Sequence, residues 1–181
     1  MIRPAFAALA TTIVMAGSAS AQKPDFSGSW KLNTEKSDPP PQMPGAPPGD
    51  RPAPPPGGGG GGGGAGRGMM TPTELFITQL TTRMTIDQKS GDRNRTESYN
   101  LDGTESHNPG MMGNEFVTTS KWVDNTIVTA GKNAFKTPMG EMTVEMTIIR
   151  SLSEDGKVMT VDLTTVSPRG TMKRKLVYEK Q

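Results

Sequence analysis

The chain has 181 residues, a formal net charge of +2 and no cysteine. So even a charge balance carries no strong field, which excludes electrostatic capture of nucleic acid or of an anionic membrane as the main business of the molecule. Without cysteine there are no disulfides, so any core must hold by packing alone.

Met1-Ile2-Arg3 is a short basic start, Pro4 to Met15 is apolar with small residues, and Ala19-Ser20-Ala21 is an A-x-A cleavage site. This order of regions predicts a signal peptide over residues 1–21 and a mature chain from Gln22, periplasmic or secreted. The apolar run falls short of the roughly 20 residues a membrane-spanning helix needs, so the chain is not expected to span a membrane. No cysteine follows the cleavage site, which excludes a lipoprotein anchor there.

Residues 22–35 contain the first predicted strand, Phe26–Asn33. From Lys36 to Met70 the sequence is rich in proline and then glycine, with Pro39-Pro40-Pro41, Pro54-Pro55-Pro56 and an unbroken run from Gly57 to Gly64. Proline lacks the backbone donor and glycine loses most entropy on ordering, so this segment is expected to be a disordered linker. The glycine run has no Gly-Lys-Ser/Thr ending and does not sit between a strand and a helix, so it is not a phosphate-binding loop. The proline spacing fits a semi-rigid spacer, and it also offers a polyproline helix to an envelope partner.

Residues 71–181 alternate short Thr/Val/Ile/Met-rich runs with turn signals about every ten residues, the pattern of an all-β barrel or sandwich. Predicted strands are Thr73–Gln79, Arg83–Gln88, Arg93–Leu101, Asn114–Val123, Thr126–Ala130, Glu141–Ser151, Lys157–Val166 and Thr171–Lys180. Ser90-Gly91-Asp92, Asp102-Gly103, Asp124-Asn125 and Glu154-Asp155-Gly156 supply the hairpin turns between them. With the first strand the count is nine, and short loops make consecutive strands antiparallel. A nine-strand meander with one wet face is expected to close, because closure removes exposed edges. Period-two reading turns Met142, Val144, Met146 and Ile148 inward on one strand, and Met159, Val161 and Leu163 on the next. It turns Met172, Arg174, Leu176 and Tyr178 inward on the last. Arg93–Leu101 is polar on both faces and suits a partly hydrated interior or an exposed strand.

Gly28-Ser29-Trp30 at the first strand resembles the Gly-x-Trp signature of the lipocalins and fatty-acid-binding proteins. Gly28-Ser29-Trp30-Lys31-Leu32 is similar to the opening of the fatty-acid-binding proteins, and Leu176-Val177-Tyr178-Glu179-Lys180 to their last strand. Asp25-Phe26-Ser27-Gly28-Ser29-Trp30-Lys31-Leu32-Asn33 also resembles the start of small exported bacterial proteins of unassigned function. The resemblance implies a lipocalin-like barrel with Gly28 and Trp30 as structural residues. Fatty-acid-binding proteins hold a carboxylate with an Arg-x-Tyr pair on the last strand; Tyr178 matches the tyrosine, but Leu176 stands in place of the arginine. The proline/glycine segment occupies the position of their helical lid. In lipocalins a late arginine packs across the tryptophan, a role the resemblance gives to Arg174 against Trp30.

Two functions follow. One is a carrier of a small apolar or amphipathic molecule, bound among Met142, Met146, Ile148, Met159, Leu163 and Tyr178, with Arg174 or Arg150 available to an anionic head. The other is a structural or interaction module of the cell envelope whose barrel is filled by its own side chains. Catalysis is not expected, since no glycine pattern frames a nucleophilic serine. No cofactor is expected either. His107, near Asp102 and Glu105, is the only histidine; with no cysteine it falls short of a transition-metal set, and no metal is expected. Lys173-Arg174-Lys175 lies on a strand that sends its members to opposite faces, a poor nucleic-acid patch.

Overall fold

The computed structural model describes residues 23–40, 71–110, 114–137, 140–168 and 170–181. The expected signal peptide and residues 41–70 of the expected linker lie outside the described residues.

Among the described residues, ten strands form one antiparallel sheet: β1 Gly28–Leu32, β2 Glu74–Gln79, β3 Arg83–Ser90, β4 Arg93–Asn100, β5 Asp102–Pro109, β6 Glu115–Val123, β7 Thr126–Thr137, β8 Gly140–Leu152, β9 Val158–Ser167 and β10 Gly170–Lys180. Neighbours run β4-β3-β2-β1-β10-β9-β8-β7-β6-β5, so each strand pairs with the next in sequence, and β1 also pairs with β10. The fold is therefore an up-and-down, nearly closed β-barrel. Its only break among the described residues falls between β4 and β5, the two edge strands of the sheet.

Side chains close that break. The Asn108 amide does the work of a backbone rung: Ser98 N–H donates to its Oδ1 at 2.7 Å, and its Nδ2 donates to Ser98 O at 2.9 Å. Asn100 N–H donates to Ser106 Oγ at 2.7 Å, Asn100 Nδ2 donates to Glu105 O at 2.8 Å, and Arg95 Nη2 donates to Pro109 O. Here the structure corrects the nine-strand expectation. β5 is a tenth strand, where Asp102-Gly103 and the residues after it read as a turn. Gly103 instead sits at φ 88° within the strand, where the pairing with β6 shifts register between Asp102 and Glu105. β7 likewise runs on past Ala130 to Thr137.

One end of the barrel is sealed by the segment before β1. Phe26 is fully buried, and its ring lies 6.0 Å from that of Trp122. Gln79 ties the segment down, accepting from Phe26 N–H at Oε1 and donating from Nε2 to Pro24 O, both at 3.0 Å. Trp30 is 1 % exposed, and its Nε1 donates to Phe26 O at 2.9 Å. Gly28 opens β1 at φ 128°, a backbone conformation that favours glycine. The core continues from this floor through Leu75, Ile77, Met84, Ile86, Tyr99, Ile127 and Met159.

Lys36, Ser37 and Asp38, placed by sequence in the linker, belong to the barrel. After β1 the chain follows the free side of β10: Val177 N–H donates to Ser37 Oγ at 2.9 Å, and Asp38 N–H donates to Lys175 O at 2.8 Å. Lys175 N–H in turn donates to an Asp38 carboxylate oxygen at 2.6 Å, while Lys36 pairs with Glu179 at 2.9 Å. These polar residues are not drawn in by apolar burial, which is why composition hid them.

Candidate functional site

The ladder registers fix which side chains share the interior, because alternate residues of a strand point to one face. Trp30 lies opposite both Leu75 and Lys180, Ile86 opposite Glu97, Thr129 opposite Ile148, and Arg150 opposite Val161. Following that alternation, Met142, Met146 and Ile148 on β8, Met159 and Leu163 on β9, and Arg174 and Tyr178 on β10 all have inward parity. The structure separates them by depth. Ile148, Met159 and Tyr178 are part of the sealed core, Met146 and Leu163 are partly buried against it, and Met142 is half-buried. The Tyr178 hydroxyl donates to Pro72 O at 3.1 Å, and burial pushes its pKa up.

Arg174 does not cap Trp30. Its Nε and Nη2 lie 3.4 and 3.3 Å from Asp38 O, and the cation over the Trp30 ring is Lys180 Nζ, 5.3 Å from the centroid. The reason is distance along the strand. Trp30 pairs with Lys180 whereas Arg174 pairs with Leu163, six positions and so about 20 Å further along β10. Parity sends Arg174 inward; register sends it toward the end of the barrel away from Trp30.

Among the described residues the buried arginine is Arg150, 5 % exposed. Its guanidinium carbon stands 4.9 Å over the Tyr99 ring, and its Nη1 donates to Thr129 Oγ1 at 3.2 Å. Thr129 Oγ1 is also 2.8 Å from Ser120 Oγ. Arg150 makes no ion pair with a carboxylate among the described residues. The nearby acid is already occupied: Glu97 accepts from Gln88 Nε2 and Tyr99 Oη, each at 2.5 Å, and pairs with Arg95 Nη2 at 2.9 Å. Tyr99, 1 % exposed, thus bridges the two charges, and burial pushes its hydroxyl pKa up. Of the inward-parity arginines of β4, β8 and β10, Arg93 is exposed, Arg174 sits against Asp38 and Arg95 pairs with Glu97, which leaves Arg150 as the buried cation without an ion pair among the described residues. Such a cation suits an anion with an apolar body, because a low-dielectric surround strengthens attraction to a fixed cation.

Glu97 and Tyr99 were legible only as members of a strand with two polar faces. Arg150 carried a sharper signal, as the charge that ends an inward row of Met142, Val144, Met146 and Ile148.

Two features outside the interior take other roles. An open groove of about 620 Å³ crosses β1–β4 on the side of Ser29, Lys31, Glu74, Phe76, Asp87 and Thr96, and mixes both signs of charge. His107 lies exposed on β5, with Nδ1 3.1 Å from Glu115 Oε2 and Nε2 3.9 Å from Glu105 Oε2. The described residues include no cluster of metal-ligating side chains.

No family model and no curated protein matches the chain. Among solved structures it is similar to the zebrafish ileal bile acid-binding protein complexed with cholic acid, at 16 % identity and a TM-score of 0.45 over 60 % of this chain and 72 % of that one. So loose a superposition leaves the chemistry of the site to the residues described above.

Proposed function

We propose that this protein is an exported carrier of a small amphipathic anion, held inside the barrel with its charged head against Arg150. One observation carries the reading: a cation 5 % exposed lies against an aromatic face and one threonine hydroxyl, and forms no ion pair with a carboxylate among the described residues. A buried charge without a counter-ion is strongly unfavourable, so its retention points to an anion that arrives from outside. Met146 and Leu163, partly buried beside the core, offer an apolar wall to the ligand body. The reading is of a binding protein and not an enzyme.

The alternative, a barrel filled by its own side chains, draws support from the sealed end, where Phe26, Trp30, Met84, Ile127 and Met159 are at most 1 % exposed. It offers no account of Arg150. Native mass spectrometry of the protein from its producing cells separates the two. The carrier reading expects an adduct of one small anion that is lost in Arg150→Met. A bare mass for the wild type, together with no uptake of added anionic amphiphiles, favours the filled module.

A further inference from the structure

The two sides of the interior differ in chemistry. Along β1–β3 and β9–β10 the fully buried inward side chains are apolar or aromatic, Trp30, Ile77, Ile86, Met159 and Leu176 among them. Along β5–β7 the buried side chains include Ser106, Asn108, Thr118, Ser120, Thr129 and Asn133, none more than 7 % exposed. Four of these have partners. Ser106 and Asn108 close the break to β4, and Ser120 and Thr129 bond each other.

Thr118 Oγ1 and Asn133 Oδ1 do not. Neither has a hydrogen-bond partner among the described residues, and both are sealed from solvent. They are neighbours on the wall: Thr118 pairs with Gly131, and Asn133 is the next inward position of β7 away from the sealed end. The Thr118 methyl lies against Gly131, so close that a Cβ there would be 2.7 Å from it, and glycine offers the hydroxyl no side-chain partner. Beyond the break, Arg95 Nε is another buried atom without a partner among the described residues, as is Thr71 Oγ1 ahead of β2, away from this wall. Buried polar groups in folded proteins are almost always paired, and three unpaired ones near a single wall mark a place where partners are supplied from elsewhere.

We infer that this wall is a subsite for hydroxyl groups, so that the cargo is an amphipathic anion hydroxylated along its body and not a plain hydrocarbon chain. The inference rests on the carrier reading above. A hydroxyl both donates and accepts. It can therefore donate to Asn133 Oδ1, accept from Arg95 Nε and do either with Thr118 Oγ1. Because these oxygens are covered within the wall, binding requires the inward Thr118 and Asn133 side chains to change rotamer and present them to the cargo. A site that hydrogen-bonds a substrate hydroxyl discriminates strongly against the analogue that lacks it, since its own polar groups are then left unpaired.

The test compares octadecanoate with 9,10-dihydroxyoctadecanoate, which share carboxylate and chain length, by isothermal titration of the full chain below their critical micelle concentrations. Wild type is expected to bind the dihydroxy acid about tenfold more tightly or better. The near-isosteric Thr118→Val and Asn133→Leu are each expected to reduce that preference to within about threefold, while keeping octadecanoate affinity and melting at or above the wild-type temperature. Equal affinity of wild type for the two acids would overturn the subsite and leave the carrier reading standing. A preference that survives both substitutions would place the recognition elsewhere and also overturn it. If neither acid binds, the carrier reading falls and the subsite falls with it.

Discussion

Truncation of Trp30 probes how the sealed end is built. The indole is 1 % exposed and its Nε1 donates to Phe26 O at 2.9 Å, so the side chain both fills the floor and ties the preceding segment to β1. An aromatic of this size buries about 150–250 Å², worth about 4–6 kcal/mol at about 25 cal/mol per Å². Measured truncations of core aromatics to alanine fall at about 3–5 kcal/mol, the range expected for Trp30→Ala. Trp30→Phe keeps most of the area and removes only the donor, so its loss should be about 1–3 kcal/mol. Equilibrium urea unfolding, followed by far-ultraviolet circular dichroism, reads both. With a slope of about 2 kcal/mol per molar, the alanine variant should shift the midpoint by roughly 2 M and the phenylalanine variant by roughly 1 M. A small domain has only about 5–15 kcal/mol in all, so the alanine variant sits close to its folding threshold and the phenylalanine variant secures the measurement. A shift under about 0.5 M in Trp30→Ala, equal to about 1 kcal/mol, would refute the assignment of the tryptophan as the floor of the barrel.

Other expectations rest on separate parts of the structure. In Gly131→Ala the new methyl would lie 2.7 Å from both Val117 O and Thr118 Cγ2, so the β6–β7 ladder must give; thermal melting should show a loss of about 1–3 kcal/mol, and an unchanged melt would mean that the strands are not held that close. Deleting residues 41–70 through a short joining loop should leave the cooperative transition intact, whereas deleting 36–70 also removes the hydrogen bonds of Ser37 and Asp38 to Val177 and Lys175. The longer deletion should be less stable by about 2–4 kcal/mol, and equal melting of the two would show that those contacts contribute nothing. The Glu115 carboxylate, by its hydrogen bond first and its charge second, raises the His107 pKa above the ordinary value. The stabilisation from this pair is complete below the unfolded histidine's pKa of about 6.5 and is lost as pH rises through the folded value. Nuclear magnetic resonance titration should find the His107 pKa falling in Glu115→Gln; no change would remove Glu115 as the cause.

Most of the barrel was legible because most strands have one wet face. In β8 and β9 the alternation of Met142, Val144, Met146 and Ile148, and of Met159, Val161 and Leu163, is enough to place both strands and their inward sides. β5 was not legible because apolar alternation is absent from it. Its inward Ser106 and Asn108 are buried not for their apolar surface but to hydrogen-bond the β4 backbone. Its eight residues, too many for a tight turn, were the overlooked sign. The site was half legible for a different reason. Parity assigns Arg150 and Arg174 equally to the interior, but depth depends on how strands slide past one another, and no single strand records that. The strand offset puts Arg150 opposite Val161 inside the core and Arg174 beside Asp38, toward the end away from Trp30.

The central claim is that Arg150 holds the head of an anion. Displacement titration of an environment-sensitive fatty-acid probe by hexadecanoate and by hexadecanol, on wild type and on Arg150→Met, tests it most directly. Hexadecanoate should bind wild type at least about tenfold more tightly than hexadecanol, and Arg150→Met should erase that difference while stability holds or rises, as removal of an unpaired buried charge allows. Equal binding of acid and alcohol by wild type, or an Arg150→Met variant that keeps the preference for the acid, would contradict the account.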